Sequence, residues 1–437
     1  MFAGPRASAF PAVSRRPVRS PMWNSDSPLP FLNSCHAELT RLRRELHAHP
    51  ELGFEEHRTA GLVAERLRAW GVDEVHAGIG GTGVVGVIHG RREPLPGDER
   101  PESAGAEPWP RSVGLRADMD ALPMHEDNES PWRSTRSGVM HACGHDGHTT
   151  MLLGAARYLA ASRNFAGRVH CIFQPAEEGL GGARAMLQDG LFERFPVDWV
   201  FGMHNWPLLP AGHIGLAPGA MMAAADRITI HITGTGGHGA HPHLAVDPVL
   251  VAGHVITAVQ TLVARDVDPA QQAVVSLCAM QAGDPGAMSV IPRRVSLVGT
   301  ARSFRADVQQ LLEDRLGPLV QSVALAFGAR AELVYERVYP ATINTPHVAF
   351  HAAEVAAELV GEASVVRNLP PSMGAEDFAF MLQAAPGAYL RLGTGGNGSA
   401  QLHSSRFDFN DAVLPLGAAL YARLAERALD RPAAAML

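Results

Sequence analysis

Leucines 39, 42 and 46 recur three to four positions apart, and Leu62, Val63 and Leu67 repeat that spacing, so amphipathic helices are predicted over 35–47 and 55–70. Short apolar runs bounded by glycine and polar residues predict buried strands over 84–88 and 113–115. A helix over 147–161, a strand over 169–173, a helix over 183–188 and a strand over 199–203 follow. Such alternation implies a mostly parallel sheet with helices on both faces. Ligands of such sheets sit beyond the carboxyl ends of the strands. Polar residues stand at those ends: Asp118 after one strand, Glu177 and Glu178 after another, His204 after a third.

After residue 225 the period changes. Residues 227–233 alternate like a half-exposed strand, 247–263 read as a helix, 273–280 and 294–301 as strands, 308–326 as a helix and 331–336 as a strand. That order, β-α-β-β-α-β, is the ferredoxin-like plan. A helix from His347, a strand over 388–392 and a closing helix after Leu414 then resume the first pattern. The fold class expected is α/β: a mostly parallel-sheet domain over 34–224 and 339–437, with an inserted ferredoxin-like α+β domain over 225–338. The 437 residues agree with two domains, since single cores stop growing near roughly 250–300 residues. Residues 91–111, rich in Pro, Glu, Gly and Arg, read as an exposed loop insertion. Arg6, Arg15, Arg16 and Arg19 precede the first acid, Asp26, without the apolar stretch of a secretory signal, so 1–33 read as a disordered leader.

Charge and cysteine usage narrow the function. The balance of 37 basic and 44 acidic side chains, a net charge of -7, offers no electrostatic footprint for nucleic acid or an anionic membrane. No uninterrupted apolar run approaches the ~20 residues that cross a bilayer. Four scattered cysteines in a long chain argue against a disulfide framework and for a reduced compartment, so a cytoplasmic location is expected.

Three places carry candidate chemistry. The run His141-Ala142-Cys143-Gly144-His145-Asp146-Gly147-His148 sets a thiol, three imidazoles and a carboxylate beside a predicted helix start. Metal binding explains that density of ligand types, and Gly144 permits the bend that aims Cys143 and His145 at one centre. A helix-capping loop with incidental histidines is the plainer alternative, and His148 faces the new helix, where it would orient ligands instead. In Gln174-Pro175-Ala176-Glu177-Glu178-Gly179, adjacent carboxylates follow a buried strand, which is costly without cations. Glu178 would ligate a metal while Glu177 takes a proton from water; an exposed acidic turn is the alternative. His204 and His403 would complete a dispersed ligand set, although each alone is an ordinary loop or core histidine.

With these residues assembled, the chain resembles the M20 metallopeptidase superfamily, and within it the amidohydrolase subfamily of hippurate hydrolases, N-acetyl-diaminopimelate deacetylases and indoleacetyl-amino acid hydrolases. The resemblance covers 39–416 and rests on spaced motifs: HAHPELG at 47–53, RADMDALP at 116–123, HACGHDGH at 141–148, QPAEEG at 174–179, GHGA at 237–240, GTAR at 299–302 and MGAEDF at 373–378. It implies a binuclear centre of two divalent ions (Zn, Mn, Ni or Co) on Cys143, His145, Glu178, His204 and His403, with Glu177 as general base and Asp118 as a carboxylate that orients the site. It further implies hydrolysis of N-acyl amino acids, a homodimer formed through the inserted domain, His238 reaching the developing oxyanion, and Arg302, Met373 and Gly374 contacting substrate. Arg116 stands where the wider superfamily has a histidine ligand, which tilts the expectation away from peptides. Ser289 stands where relatives carry Asn before Val-Ile-Pro, shortening a side chain that would meet substrate. A dipeptidase or aminopeptidase, and a metabolite-binding protein without catalysis, are the rival readings.

Overall fold

A computed structural model describes residues 27–92, 110–396 and 399–430. Its larger sheet has eight strands in the order Glu74–Ile79, Gly83–His89, Arg168–Gln174, Ser112–Asp118, Trp199–Pro210, Gly387–Gly395, Ile214–Gly215, Val365–Val366. The four central strands, from Arg168–Gln174 to Gly387–Gly395, run parallel, as expected, and the Glu74–Ile79 and Gly83–His89 strands join antiparallel at one side. Both faces of the sheet are covered, which is why the central strands read as unbroken apolar runs. Val84, Ile88, Leu115 and Phe173 point into a core shared with helices Leu414–Leu429, His145–Ser162 and Pro346–Val360. Val85, Val87, Ile172 and Val200 point the other way, against Ala183, Met186, Phe378 and Met381.

Three expectations are corrected. The end of the leader is ordered: Leu29–Ser34 is a helix whose Leu32 is buried against Ala418 and Ala419, whereas residues 1–26 lie outside the described residues. The helix expected from Gly147 begins at His145, and the strand expected to stop at Met203 runs on to Pro210. Most of the loop insertion, 93–109, also lies outside the described residues.

Residues 224–339 hold a separate four-stranded sheet, ordered Ala273–Ala282, Arg294–Ser303, Ala224–Thr233, Arg330–Tyr339, with every neighbour antiparallel. That order and the two helices Pro248–Thr261 and Ala306–Ala326 reproduce the ferredoxin-like plan. Alternate residues of its central strands, Ile228, Ile230, Ile232, Val295 and Leu297, pack on Val251, Val255, Leu312, Leu316 and Val320. The reading that no segment could span a bilayer is qualified here. Residues 248–266 form a helical stretch long and apolar enough by length and composition, with a mean hydropathy of 1.3, yet one side of it packs on this sheet and a third of the stretch is buried.

The closing helix ties the ends of the chain to the strand that bears the site, because the Tyr421 hydroxyl donates to the buried carbonyl of Arg116 at 2.6 Å. Tyr421→Phe is expected to lower unfolding free energy by about 1 kcal/mol in urea titrations, the usual net worth of one such bond. An unchanged midpoint would show that the bond contributes nothing.

Candidate metal centre

The carboxyl ends of the parallel strands deliver the candidate donors to one place. Ser112–Asp118 ends on Asp118 with Asp120 just beyond it, Arg168–Gln174 leads to Glu177 and Glu178, and His204 lies within Trp199–Pro210. Cys143 and His145 arrive on either side of Gly144, whose φ of +92° starts the helix His145–Ser162. A side chain there would be strained by that backbone and would meet the Asn205 Oδ1 at 2.4 Å, so only glycine permits the bend.

Donor atoms of the expected ligands lie close together. The Cys143 Sγ lies 3.3 Å from the His204 Nε2, and the His403 Nε2 lies 3.2 Å from the Glu178 Oε1. One donor atom each of Cys143, His145 and His204 falls within 4.8 Å of the others, and the same holds for Cys143, Glu178 and His403, so the two triads share the thiol. His145, Glu177 and Glu178 form another such group. The His145 Nε2 is buried without a hydrogen-bond partner, an arrangement that costs free energy unless something else binds it. Soft sulfur, imidazole and carboxylate on flexible spacings fit a divalent metal.

The neighbours orient these donors. His145 is held through its Nδ1 by Asp120 at 3.2 Å, and Asp120 also accepts from the Glu178 backbone N–H at 2.9 Å. Sequence reasoning gave orienting roles to Asp118 and His148 but missed Asp120, although Asp118 and Asp120 stand in the same Asp-Met-Asp motif. Asp118 is 3.8 Å from the bare nitrogen of His145 and is fixed by His148 at 2.6 Å and Arg116 at 2.8 Å. His148 is therefore spent on Asp118 and Asn205. His204 uses its Nδ1 on the Asn205 carbonyl at 2.7 Å, leaving Nε2 toward Cys143.

Charge in the site is unbalanced. Burial, followed by the carboxyls of Glu376, Glu178 and Asp377, pushes Glu177 well above the usual carboxylate range. Burial and the acids Glu178 and Glu177 likewise push the Cys143 thiol up. Burial and His148 hold His204 neutral, the form that ligates metal. Asp118 goes the other way: its neighbours His145, Arg116 and His148 outweigh its burial and keep it ionised. Cations seated among these groups would reverse the upward shifts of Cys143 and Glu177.

Comparison with known proteins places the chain in a family. The family model for peptidase family M20/M25/M40 matches residues 114–427. The chain belongs to that family. It is 41% identical over 397 residues to a hippurate hydrolase of Campylobacter jejuni subsp. jejuni, covering 91% of this chain and 98% of that protein. A thermostable carboxypeptidase of Saccharolobus solfataricus is 38% identical over 395 residues, covering 89% and 94%. Among solved structures, the YxeP protein of Bacillus subtilis, described as a dinuclear metal binding peptidase from the M20 family, superposes with a TM-score of 0.76 at 33% identity, covering 91% and 99%. This M20 chain is accordingly a metal-dependent amide hydrolase of the amidohydrolase subfamily.

Beside the donors lies a cleft of about 630 Å³, lined by Cys143, Glu177, Glu178, His204 and His403 on one side and by Thr300 and Arg302 on the other. Gly374 and the rings of Trp206, Tyr339 and Tyr389 also face it. The Arg302 guanidinium bonds the Thr300 hydroxyl and the Ala301 carbonyl. The remaining expected residues are not brought into this cleft by one chain. His238 is exposed on the small ladder joining Gly237–His238 to Val290–Ile291, Ser289 is exposed just before that second strand, and Met373 is half-buried outside the lining. Glu376 and Asp377 are an unforeseen part of the site's surroundings: Arg116 reaches them at 2.9 and 3.1 Å, and Gln174 donates to Asp377 at 2.8 Å. Their Glu-Asp pair, like Glu177-Glu178, was visible as a costly double carboxylate inside an otherwise apolar motif.

Behind the site, His47 bridges Asp146 at 2.8 Å and Glu126 at 3.1 Å. Burial opposes its charge, but these bonds outweigh it and raise the imidazole to about 9. The raised pKa means that its stabilisation is complete below about 6.5 and is lost as pH climbs through about 9. We expect wild type to lose up to about 3 kcal/mol relative to His47→Gln between pH 6 and 10 in urea titrations, from ~1.4 kcal/mol per unit. Parallel pH profiles for the two proteins would contradict the assignment.

Proposed function

We propose that this enzyme hydrolyses the amide of N-acyl amino acids, acetyl, benzoyl or similar, to a carboxylate and a free amino acid, with two divalent ions held by Cys143, His145, Glu178, His204 and His403. The observation that carries the two-ion reading is the sharing of the Cys143 thiol between two donor triads, one with His145 and His204 and one with Glu178 and His403. Zn, Mn, Ni and Co all suit this donor set. When bound, such ions polarise a carbonyl and lower the pKa of water toward neutrality.

The chain's own residues do the rest. Glu177 is buried on the cleft wall between the donors and the Glu376 and Asp377 carboxyls, where it takes a proton from the attacking water and passes it to the departing nitrogen. Water adds across the C–N bond, so oxygen stays on the acyl carbon and the proton leaves with the amine. Asp120 and Asp118 hold His145 and His148 in place. Arg302, across the cleft, receives the free α-carboxylate of the amino-acid half in a charge-assisted contact. That carboxylate is common to hippurate, the substrate named for one relative, and to the C-terminal residue of a peptide, the kind of substrate named for the carboxypeptidase. Carboxypeptidase action is therefore the second reading, and faster cleavage of dipeptides than of N-benzoyl or N-acetyl amino acids would favour it.

The second copy in a homodimer is part of the proposal. Leu250 on helix Pro248–Thr261 is 55% exposed, with Val249 and Ile256 also open on that helix, an apolar surface suited to self-association. His238, exposed on the same inserted unit, would then reach the partner's cleft and meet the oxyanion charge. A cytoplasmic location, where Cys143 stays reduced, completes the assignment.

Two outcomes test it. Glu177→Ala should keep its metal by elemental analysis and lose about 10²–10⁴ in kcat on N-benzoyl-glycine; a loss below tenfold removes Glu177 from the base role. Leu250→Asp with Ile256→Asp should sediment as a monomer and lose activity as His238→Ala does, on the order of 10²-fold. A fully active monomer would overturn the role of the second copy.

A further inference from the structure

Glu177 follows a residue in an unusual conformation. Ala176 has a φ of +53°, one of only four non-glycine positive values among the described residues. For an L-residue other than glycine that left-handed conformation is disfavoured by about 5- to 30-fold. The turn has no glycine in that position to relieve it, so something must hold it.

What holds it is visible. Glu56, completely buried, accepts the Ala176 backbone N–H on Oε1 at 2.8 Å, while its Oε2 accepts the hydroxyl of Thr82, itself almost fully buried. The Ala176 carbonyl accepts from the Gly182 N–H at 3.0 Å. The buried Ala176 side chain sits on Gly53, where an added Cβ would come within 3.1 Å of it. Both polar groups of the Ala176 backbone are thus engaged, and the partner that reaches in from outside the loop is a carboxylate whose other oxygen is also pinned. Glu56 is not among the residues that line the cleft, and its side chain bonds Ala176 and Thr82 rather than a proposed ligand.

We infer that Glu56 is a positioning residue, which clamps Ala176 in its left-handed conformation and so sets the direction in which Glu177 enters the cleft. The inference rests on Glu177 being the base. It extends the machinery to a residue at the start of helix His57–Ala69, far from the donors in sequence and joined to them through one peptide N–H. A carboxylate is suited to the task because it accepts from two donors at once, whereas a hydroxyl or an apolar side chain at 56 would leave one of them bare.

The test is a mutant cycle on metal-loaded full-length enzyme with N-benzoyl-glycine, with metal content and thermal midpoint measured for each protein. Glu56→Ala should lower kcat by tenfold or more at little-changed KM and metal content, because the turn relaxes and the base leaves its line of approach. Glu56→Gln keeps an oxygen for the Ala176 N–H and should stay within about threefold of wild type. Ala176→Gly takes a positive φ without steric cost, so placed on Glu56→Ala it should recover at least threefold in kcat, a rescue that a merely stabilising role for Glu56 would not give. If Glu56→Ala does not fold, Thr82→Val, which frees the second oxygen, should show a smaller kcat loss with the same Ala176→Gly rescue. Unchanged kcat in Glu56→Ala, or no rescue by Ala176→Gly in either background, overturns the clamp. Activity persisting in Glu177→Ala overturns the base reading instead, so the two failures are distinct.

Discussion

The structure depends on an electrostatic debt at the ends of its parallel strands. Glu177, Glu178, Asp120, Glu376 and Asp377 crowd against a buried thiol and a bare imidazole nitrogen, in surroundings where like charges cannot all persist without counter-charge. One part of the debt is met permanently: Arg116, fully buried, pairs with Asp118, Glu376 and Asp377 together. The other part, on the side of Cys143 and Glu178, is where the proposed cations would sit. Arg116 supplies positive charge to the outer carboxylates, apart from the donors proposed to hold metal.

Around this debt the scaffold is built for fixed position. The strand carrying Asp118 lies inside a sheet covered on both faces, the closing helix bonds its backbone through Tyr421, and Gly144 lets the helix His145–Ser162 start against Asn205. Side chains on rigid strand ends hold their geometry better than side chains on free loops. The inserted unit brings Thr300 and Arg302 to the opposite wall of the cleft, which therefore lies between two independently cored units.

Much of this was legible in the sequence, for identifiable reasons. Central strands buried on both faces announce themselves as apolar runs, and the ferredoxin-like unit showed its strict alternation in 227–233. Glu177 and Glu178 stood out because a double carboxylate after a buried strand is costly, and Cys143 because it stands among three imidazoles and a carboxylate. The Glu74–Ile79 strand was missed because it is an exposed edge carrying Glu74 and His76, and Ile214–Gly215 and Val365–Val366 are too short to leave a period. The role of Asp120 was missed because hydrogen-bond partners depend on angles that spacing does not encode. Glu56 was silent for the same reason, since its meaning lies in a backbone N–H well over a hundred positions away. His238 and Ser289 lie outside the cleft of a single chain, a placement that motif spacing does not encode.

X-ray absorption spectroscopy of the metal-loaded protein tests the central claim most directly, because it reports the atoms around the ion. The account requires sulfur at about 2.3 Å together with nitrogen and oxygen neighbours, and a second metal at roughly 3.5–4 Å. A coordination sphere of oxygen and nitrogen alone, without sulfur and without a second metal, would contradict it.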